Sequence, residues 1–179
     1  MKSAVRVVLL FCGLAVPASG QQSEFAAGRA SYLAGEFQAA AAHFTRALRE
    51  RPDDAECNYW LGRSYGTLAD IARPFGGRYL SRAHTYLSKS VEFAPNRTDF
   101  RQELFAFLLD SADSFRDGLP QARRLLLATS EDDPDYGEMA RRLAQATRER
   151  SSASSWIGRV LLGAPQAAFR AANSIGSAR

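Results

Sequence analysis

The stretch 25–54 carries a pattern of small and large residues that fits two antiparallel helices joined by a tight turn. The small residues Gly28 and Ala40 stand where two closely crossing helices leave no room for a longer side chain. Gly35 permits the tight turn between the helices. Pro52 has no backbone N–H to donate, so the second helix ends near it and the chain reverses. This pattern predicts a helical hairpin.

The same pattern returns twice along the chain. Leu61, Gly62 and Tyr65 take the first-helix positions of a second unit, and 83–95 supplies its second helix. A third, looser unit covers 98–136, followed by a further helix with an arginine-rich outer face over 137–149. Strand-like alternation is absent after the first twenty residues, and helical periodicity dominates. The sequence therefore predicts an all-α fold built from repeated helix pairs.

The pattern resembles the tetratricopeptide repeat (TPR). The residues that carry the resemblance in the first unit are Gly28, Ala30, Tyr32, Gly35, Phe37, Ala40, Phe44, Ala47, Leu48 and Pro52. The resemblance implies a right-handed solenoid of about three repeats with C-terminal capping helices. It also implies a protein-protein interaction scaffold, without enzymatic activity, that binds a peptide or protein in a concave groove. The implied groove residues are Phe25, Arg29, Tyr32, Tyr59, Arg63 and Gln102.

Aromatic and arginine side chains in that groove would suit a peptide with acidic or carboxylate groups, through charge-assisted hydrogen bonds and stacking. The Lys/Asn set of the family's carboxylate-clamp members is missing at the matching positions. That narrower assignment is therefore not supported.

The stretch "ADIARPFGGRYLSRAH", residues 69–84, makes the second unit roughly nine residues longer than a standard repeat of about 34. We expect "ADIA" to extend the first helix, residues 74–77 to break it, and the second helix to start at Arg78. The projection predicts a second contact surface at Arg73, Phe75 and Arg78, with a solvated insertion as the alternative. A phosphate-binding loop is disfavoured, because no strand precedes the glycines and no Gly-Lys-Ser/Thr follows.

The N-terminus has the features of a cleavable signal peptide. Lys2 and Arg6 precede an apolar run of roughly ten residues, which is short of the roughly 20 that span a bilayer. Ala18 and Gly20 fit a cleavage site before Gln21. The predicted organisation is a signal peptide at 1–20, a repeat domain at 21–149 with units of about 21–54, 55–97 and 98–136 and an extra helix at 137–149, and a tail at 150–179. We expect a periplasmic or secreted protein with no transmembrane helix in the mature chain.

Charge and cysteine content exclude two classes of protein. Lys2 and Arg6 supply two of the formal net charge of +4, so the mature chain has too small a surplus to indicate nucleic-acid binding. Of the two cysteines, Cys12 lies in the predicted signal peptide and Cys57 remains. A single thiol cannot form an internal disulfide, so a disulfide scaffold is not expected.

The tail at 150–179 is amphipathic. The serines at 151–155 suggest a linker or a helix start, because serine caps helices well. The segment could cap the open end of the array, lie on a membrane surface or dock on a partner. A membrane-peripheral envelope assembly factor attached through this segment is the alternative function. The apolar residues expected to make that contact are Trp156, Ile157, Val160, Leu161 and Phe169.

Chemical motifs do not favour an enzyme. "GRSYG", residues 62–66, matches the nucleophile elbow of serine hydrolases, but that motif needs a preceding strand and Ser64 falls in a predicted helix. His43 and His84 occupy nearly equivalent second-helix positions and are expected to be surface side chains. With Cys57 they give no recognised ligand spacing, so no metal and no cofactor are expected.

Overall fold

The computed structural model describes the backbone of residues 19–113 and 117–163, and the side chains of residues 20, 22–113 and 117–153. Every regular element in these ranges is an α-helix, which confirms the expected all-α fold. The predicted signal peptide up to residue 18 and Phe169 lie outside the described residues. The helices are α1 (Ser19–Leu33), α2 (Phe37–Glu50), α3 (Ala55–Ile71), α4 (Gly77–Phe93), α5 (Thr98–Asp110), α6 (Gly118–Leu127) and α7 (Tyr136–Gly163).

Each helix packs chiefly against its neighbours in the chain, and the α3–α4 contact is the most extensive. Two hydrophobic cores result. The first joins α2 and α3 through Ala40, Ala41, Phe44, Ala47, Cys57 and Leu61. The second joins α4 to α7 through Leu87, Leu104, Phe105, Leu108, Ala122, Leu126 and Met139. Ala40, Phe44 and Ala47 of the first-unit pattern therefore lie in the first core.

Local signals in the sequence explain the turn between α1 and α2 and the start of α3. Gly35 has a φ of 79°, a conformation that favours glycine and turns the chain between α1 and α2. The Asp54 carboxylate accepts a hydrogen bond from the Cys57 backbone N–H at 2.9 Å and so caps the start of α3. The chain reversal after Pro52 is therefore closed by a capped helix.

The overlong stretch lies at the turn between α3 and α4. α3 continues to Ile71, so three of the four residues of "ADIA" extend the first helix of this pair as expected. α4 begins at Gly77, one residue before the expected start at Arg78. Phe75 is 87% exposed at the tip of the turn. The turn therefore presents a large apolar side chain to solvent.

α7 differs from the expectation of a linker or a helix start at residues 151–155. The helix runs without a break from Tyr136 to Gly163, so the serines at 151–155 are neither a linker nor a helix start. Ser151 and Ser152 donate hydrogen bonds to the carbonyls of Arg148 and Glu149, at 3.0 and 2.8 Å. A serine whose hydroxyl bonds to a carbonyl of the preceding turn is compatible with a helix interior.

A largely buried ion pair fastens α5 to the turn before α7. Arg101 donates a hydrogen bond to the Asp133 carboxylate, and each side chain is only 14% exposed. Nε of Arg101 is buried without a hydrogen-bond partner. The third helix pair is therefore held in part by a polar contact that carries a desolvation cost.

The α3–α4 contact predicts opposite effects for two glycines of α3. A β-carbon at Gly62 would lie 2.7 Å from Cγ of Leu87 and 2.9 Å from its backbone nitrogen, whereas one at Gly66 would meet no atom within 4 Å. Gly62→Ala should destabilise the fold by about 1–3 kcal/mol through overpacking. Gly66→Ala should stabilise it by about 0.5–1 kcal/mol, because alanine loses less backbone entropy in a helix. Urea denaturation followed by circular dichroism measures both, and equal effects of the two changes would contradict the close crossing.

Candidate functional site

Five side chains from α1 and α3 form an arginine–aromatic cluster: Arg29, Tyr32, Tyr59, Trp60 and Arg63. The Arg63 guanidinium lies 5.4, 5.6 and 5.2 Å from the ring centroids of Tyr32, Tyr59 and Trp60. Arg29 lies 5.2 Å from the Trp60 centroid. At such distances ring quadrupoles attract a cation, so the rings hold both arginines in place.

The positive charge of Arg63 is already balanced within the molecule. Nε of Arg63 lies 3.3 Å from Oε1 of Glu103 on α5. Burial works against the charged form, but Glu103 and the two tyrosines outweigh it and raise the pKa of Arg63. Burial also raises the pKa of Tyr59. Glu103 therefore offsets the charge that Arg63 would present to a ligand carboxylate.

Beside this cluster, a cleft of about 170 Å³ opens between α3 and α5. We call it the α3–α5 cleft. Its charged lining consists of Arg63, Asp70, Arg73, Glu103 and Asp110. Arg73 pairs with Asp70 at 2.9 Å, as Arg63 does with Glu103. Asp110 is exposed and has no cationic partner among the described side chains. The cleft therefore carries one more carboxylate than it has arginines.

The structure brings together four of the six predicted groove residues, namely Arg29, Tyr32, Tyr59 and Arg63. Phe25 packs instead on Phe44, with ring centroids 5.8 Å apart. Gln102 is exposed on α5 and does not line the α3–α5 cleft.

Sequence reasoning missed four residues of this site: Trp60, Asp70, Glu103 and Asp110. Trp60 follows the predicted Tyr59 directly, so its aromatic side chain was a signal in the sequence. The three carboxylates lie on helices whose relative rotation the repeat pattern does not specify.

The predicted second contact surface lies at the α3–α4 turn. Arg73 is engaged with Asp70, and Arg78 donates a hydrogen bond to the Tyr79 hydroxyl at 2.9 Å. Phe75 is the exposed apolar residue between them. The three side chains share the turn, but both arginines already have partners.

Ser64, the serine of the nucleophile-elbow motif, lies within a helix and not at a turn after a strand. Ser64 is fully buried in α3, and its hydroxyl donates to the Trp60 carbonyl at 2.8 Å. His43 lies 2.7 Å from Glu24, and Nε2 of His84 lies 2.5 Å from Oε1 of Gln121. Among the described residues, no three His, Cys, Asp or Glu side chains are grouped so that they could hold a metal ion.

A scan against models of known protein families finds no match for this chain, and a search among curated proteins finds none of similar sequence. In the part of the chain with a described backbone, no helix combines the length and the apolar character needed to cross a bilayer.

Among the described residues, the free thiol belongs to Cys57. Its burial predicts that this thiol reacts slowly. The side chain is fully buried, and its thiol donates to the Phe44 carbonyl at 3.4 Å. Burial raises the pKa of Cys57 to about 12. Because this pKa lies above that of the unfolded chain, its contribution to stability is complete below about pH 8.5 and is lost as the pH rises toward 12.

In a chain that starts at Gln21, and so lacks Cys12, the folded protein should react with Ellman's reagent at pH 8 on the order of a thousand times more slowly than the urea-unfolded protein. The ratio follows from the fraction of thiolate in each state. Absorbance at 412 nm measures both rates. Rapid labelling with an unchanged helical spectrum would contradict the burial of this thiol.

Proposed function

We propose that the chain is a non-enzymatic interaction module whose helix pairs form a right-handed TPR-like solenoid. α1–α2, α3–α4 and α5–α6 would be its three repeats, with α7 as the cap. Two observations support this arrangement. The helices pack in chain order, and glycines stand at the crossings within the first two pairs, Gly28 against Phe44 and Gly62 against Leu87. Its place in the periplasm or outside the cell is part of the proposal, and rests on the N-terminal sequence.

The groove of this module would be the α3–α5 cleft, whose lining includes Tyr32 and Arg63 of the arginine–aromatic cluster. The observation that carries its chemistry is the charge of the lining. Both arginines in the cleft are paired with carboxylates, whereas Asp110 has no cationic partner within the described residues. This balance favours a partner peptide with a basic side chain over the acidic peptide that the arginines alone suggested. The tyrosine ring of Tyr32, which lines the same cleft, offers a surface for stacking.

Three labelled nonapeptides test the charge preference. Each has one leucine in a Gly-Ser background, flanked by two lysines, two glutamines or two glutamates. Fluorescence anisotropy should show that the lysine peptide binds more tightly than the glutamine peptide. Asp110→Asn should weaken its binding about three- to fivefold, the range for one exposed ion pair. Asp132→Asn, the same change on the exposed turn before α7, should leave binding unchanged.

The double change of Arg29 and Arg63 to Gln separates the two partner chemistries. Removing two positive charges should preserve or strengthen binding of the lysine peptide. A groove that binds carboxylates would instead prefer the glutamate peptide and lose it in this variant, which would contradict the proposal. Far-UV circular dichroism of each variant checks that the helices are retained.

The second candidate function, a membrane-peripheral assembly factor, is favoured by the continuity of α7. Because this helix runs to Gly163, the positions of Trp156 and Val160, and of Ile157 and Leu161, lie one turn apart on it. The side chains at these positions, and Phe169, lie outside the described residues. An amphipathic helix of this kind can bind in the plane of a membrane surface.

Flotation with anionic liposomes tests this candidate. The chain from Gln21 should float with the lipid, and a variant with serine at 156, 157, 160 and 161 should stay in the dense fraction. The substitutions remove the apolar surface that would enter the interface while leaving the net charge unchanged. Flotation of both proteins, or of neither, would contradict attachment through this segment.

A further inference from the structure

A second cleft, of about 400 Å³, lies between α2 and α4. We call it the α2–α4 cleft. Tyr65 and Leu68 of α3 line it, whereas Arg63 and Gly66 of the same helix line the α3–α5 cleft. Residues two positions apart on a helix point about 200° apart. The two clefts therefore lie on opposite sides of α3, and a ligand in the α2–α4 cleft would be independent of the proposed groove.

Stacked tyrosines build one wall of this cleft. The Tyr65 ring lies 6.2 Å from the Tyr79 ring and 5.8 Å from the Tyr86 ring, each at an interplanar angle of 21°. The Arg82 guanidinium lies 5.3 Å from the Tyr65 centroid and donates to its hydroxyl at 3.4 Å. The rings thus position a cation at the rim of the cleft.

Positive charge in the α2–α4 cleft is not neutralised. Arg46, Arg49 and Arg82 line it, and among the residues that the structure describes no carboxylate does. Arg46 donates to Glu24 at 2.9 Å, and hydrogen bonds from His43 and Arg46 lower the pKa of that carboxyl. Arg49 and Arg82 have no carboxylate within ion-pair distance among the described side chains.

The α3–α5 cleft has the opposite balance of charge. There, Arg63 and Arg73 each have an acidic partner, and a carboxylate is left over. In the α2–α4 cleft, Arg49 and Arg82 have no acidic partner among the described side chains. Ala41, Ala42 and Leu68 form the apolar part of its lining. Such a cleft is complementary to a ligand that combines negative charge with an apolar group.

We propose that the α2–α4 cleft binds an acidic segment of a protein partner. Carboxylates of that segment pair with Arg49 and Arg82, and an apolar side chain between them rests on Ala41 and Leu68. The apolar floor favours a peptide over a nucleic acid, whose backbone needs a continuous row of cations. The concave shape favours a peptide over the flat surface of an anionic membrane.

The nonapeptide with two glutamates around one leucine is the probe, and anisotropy at low and physiological salt is the measurement. The intact chain from Gln21 should bind this peptide more tightly than the glutamine peptide. Arg49→Gln with Arg82→Gln should weaken binding about tenfold, since two charge pairs are lost at about threefold each. Both arginines are exposed and pair with no carboxylate in the described part of the chain, so the variant should keep its helical spectrum.

The matched control is Arg123→Gln with Arg124→Gln, two exposed arginines of α6 whose replacement changes the net charge equally. This control should leave binding of the glutamate peptide unchanged. An equal loss in both double variants would show general attraction by charge and would overturn the proposal. So would tighter binding of a nine-nucleotide single-stranded DNA than of the peptide, or binding to anionic vesicles that is lost in the Arg49 and Arg82 double variant. Asp110→Asn should not affect this peptide, which separates the result from that for the α3–α5 cleft.

Discussion

The close approach of paired helices at two glycines is the constraint on which the rest of the molecule depends. At Gly28 the Phe44 ring occupies the space of a β-carbon, and at Gly62 the Leu87 side chain and backbone do so. Because α1 is held close to α2 and α2 packs on α3, α1 lies beside α3, with Arg29, Tyr32, Trp60 and Arg63 within reach of one another. The arginine–aromatic cluster is therefore a product of helix packing and not of a dedicated loop.

Much of the fold could be predicted because its signals are local. Gly35 and Pro52 act through their own backbone preferences, so the helix ends next to them agree with the sequence-based expectation, and α4 begins one residue before the expected Arg78. The interruption expected near residue 150 was wrong for a related reason. Serine can cap a helix or bond back to a carbonyl within one, and the sequence alone does not decide between the two.

The charge of the candidate site could not be predicted in the same way. Glu103 lies forty positions after Arg63, and their pairing depends on how α5 is rotated against α3. Four of the predicted groove residues do come together, but the partner of Arg63 changes what they favour. The α2–α4 cleft could not be predicted from the sequence, because Arg49, Tyr65 and Arg82 belong to three different helices.

The buried pair of Arg101 and Asp133 has a consequence for the site on α3. The contacts among α5, α6 and α7 are less extensive than those of α3 with α4, and one of them relies on this desolvated pair. Regions held by fewer apolar contacts open more readily than the rest of a fold. Opening of this C-terminal unit would carry Glu103 away with α5 and leave Arg63 without its counter-charge. Because α5 also forms one wall of the α3–α5 cleft, the groove exists only while these C-terminal helices stay packed.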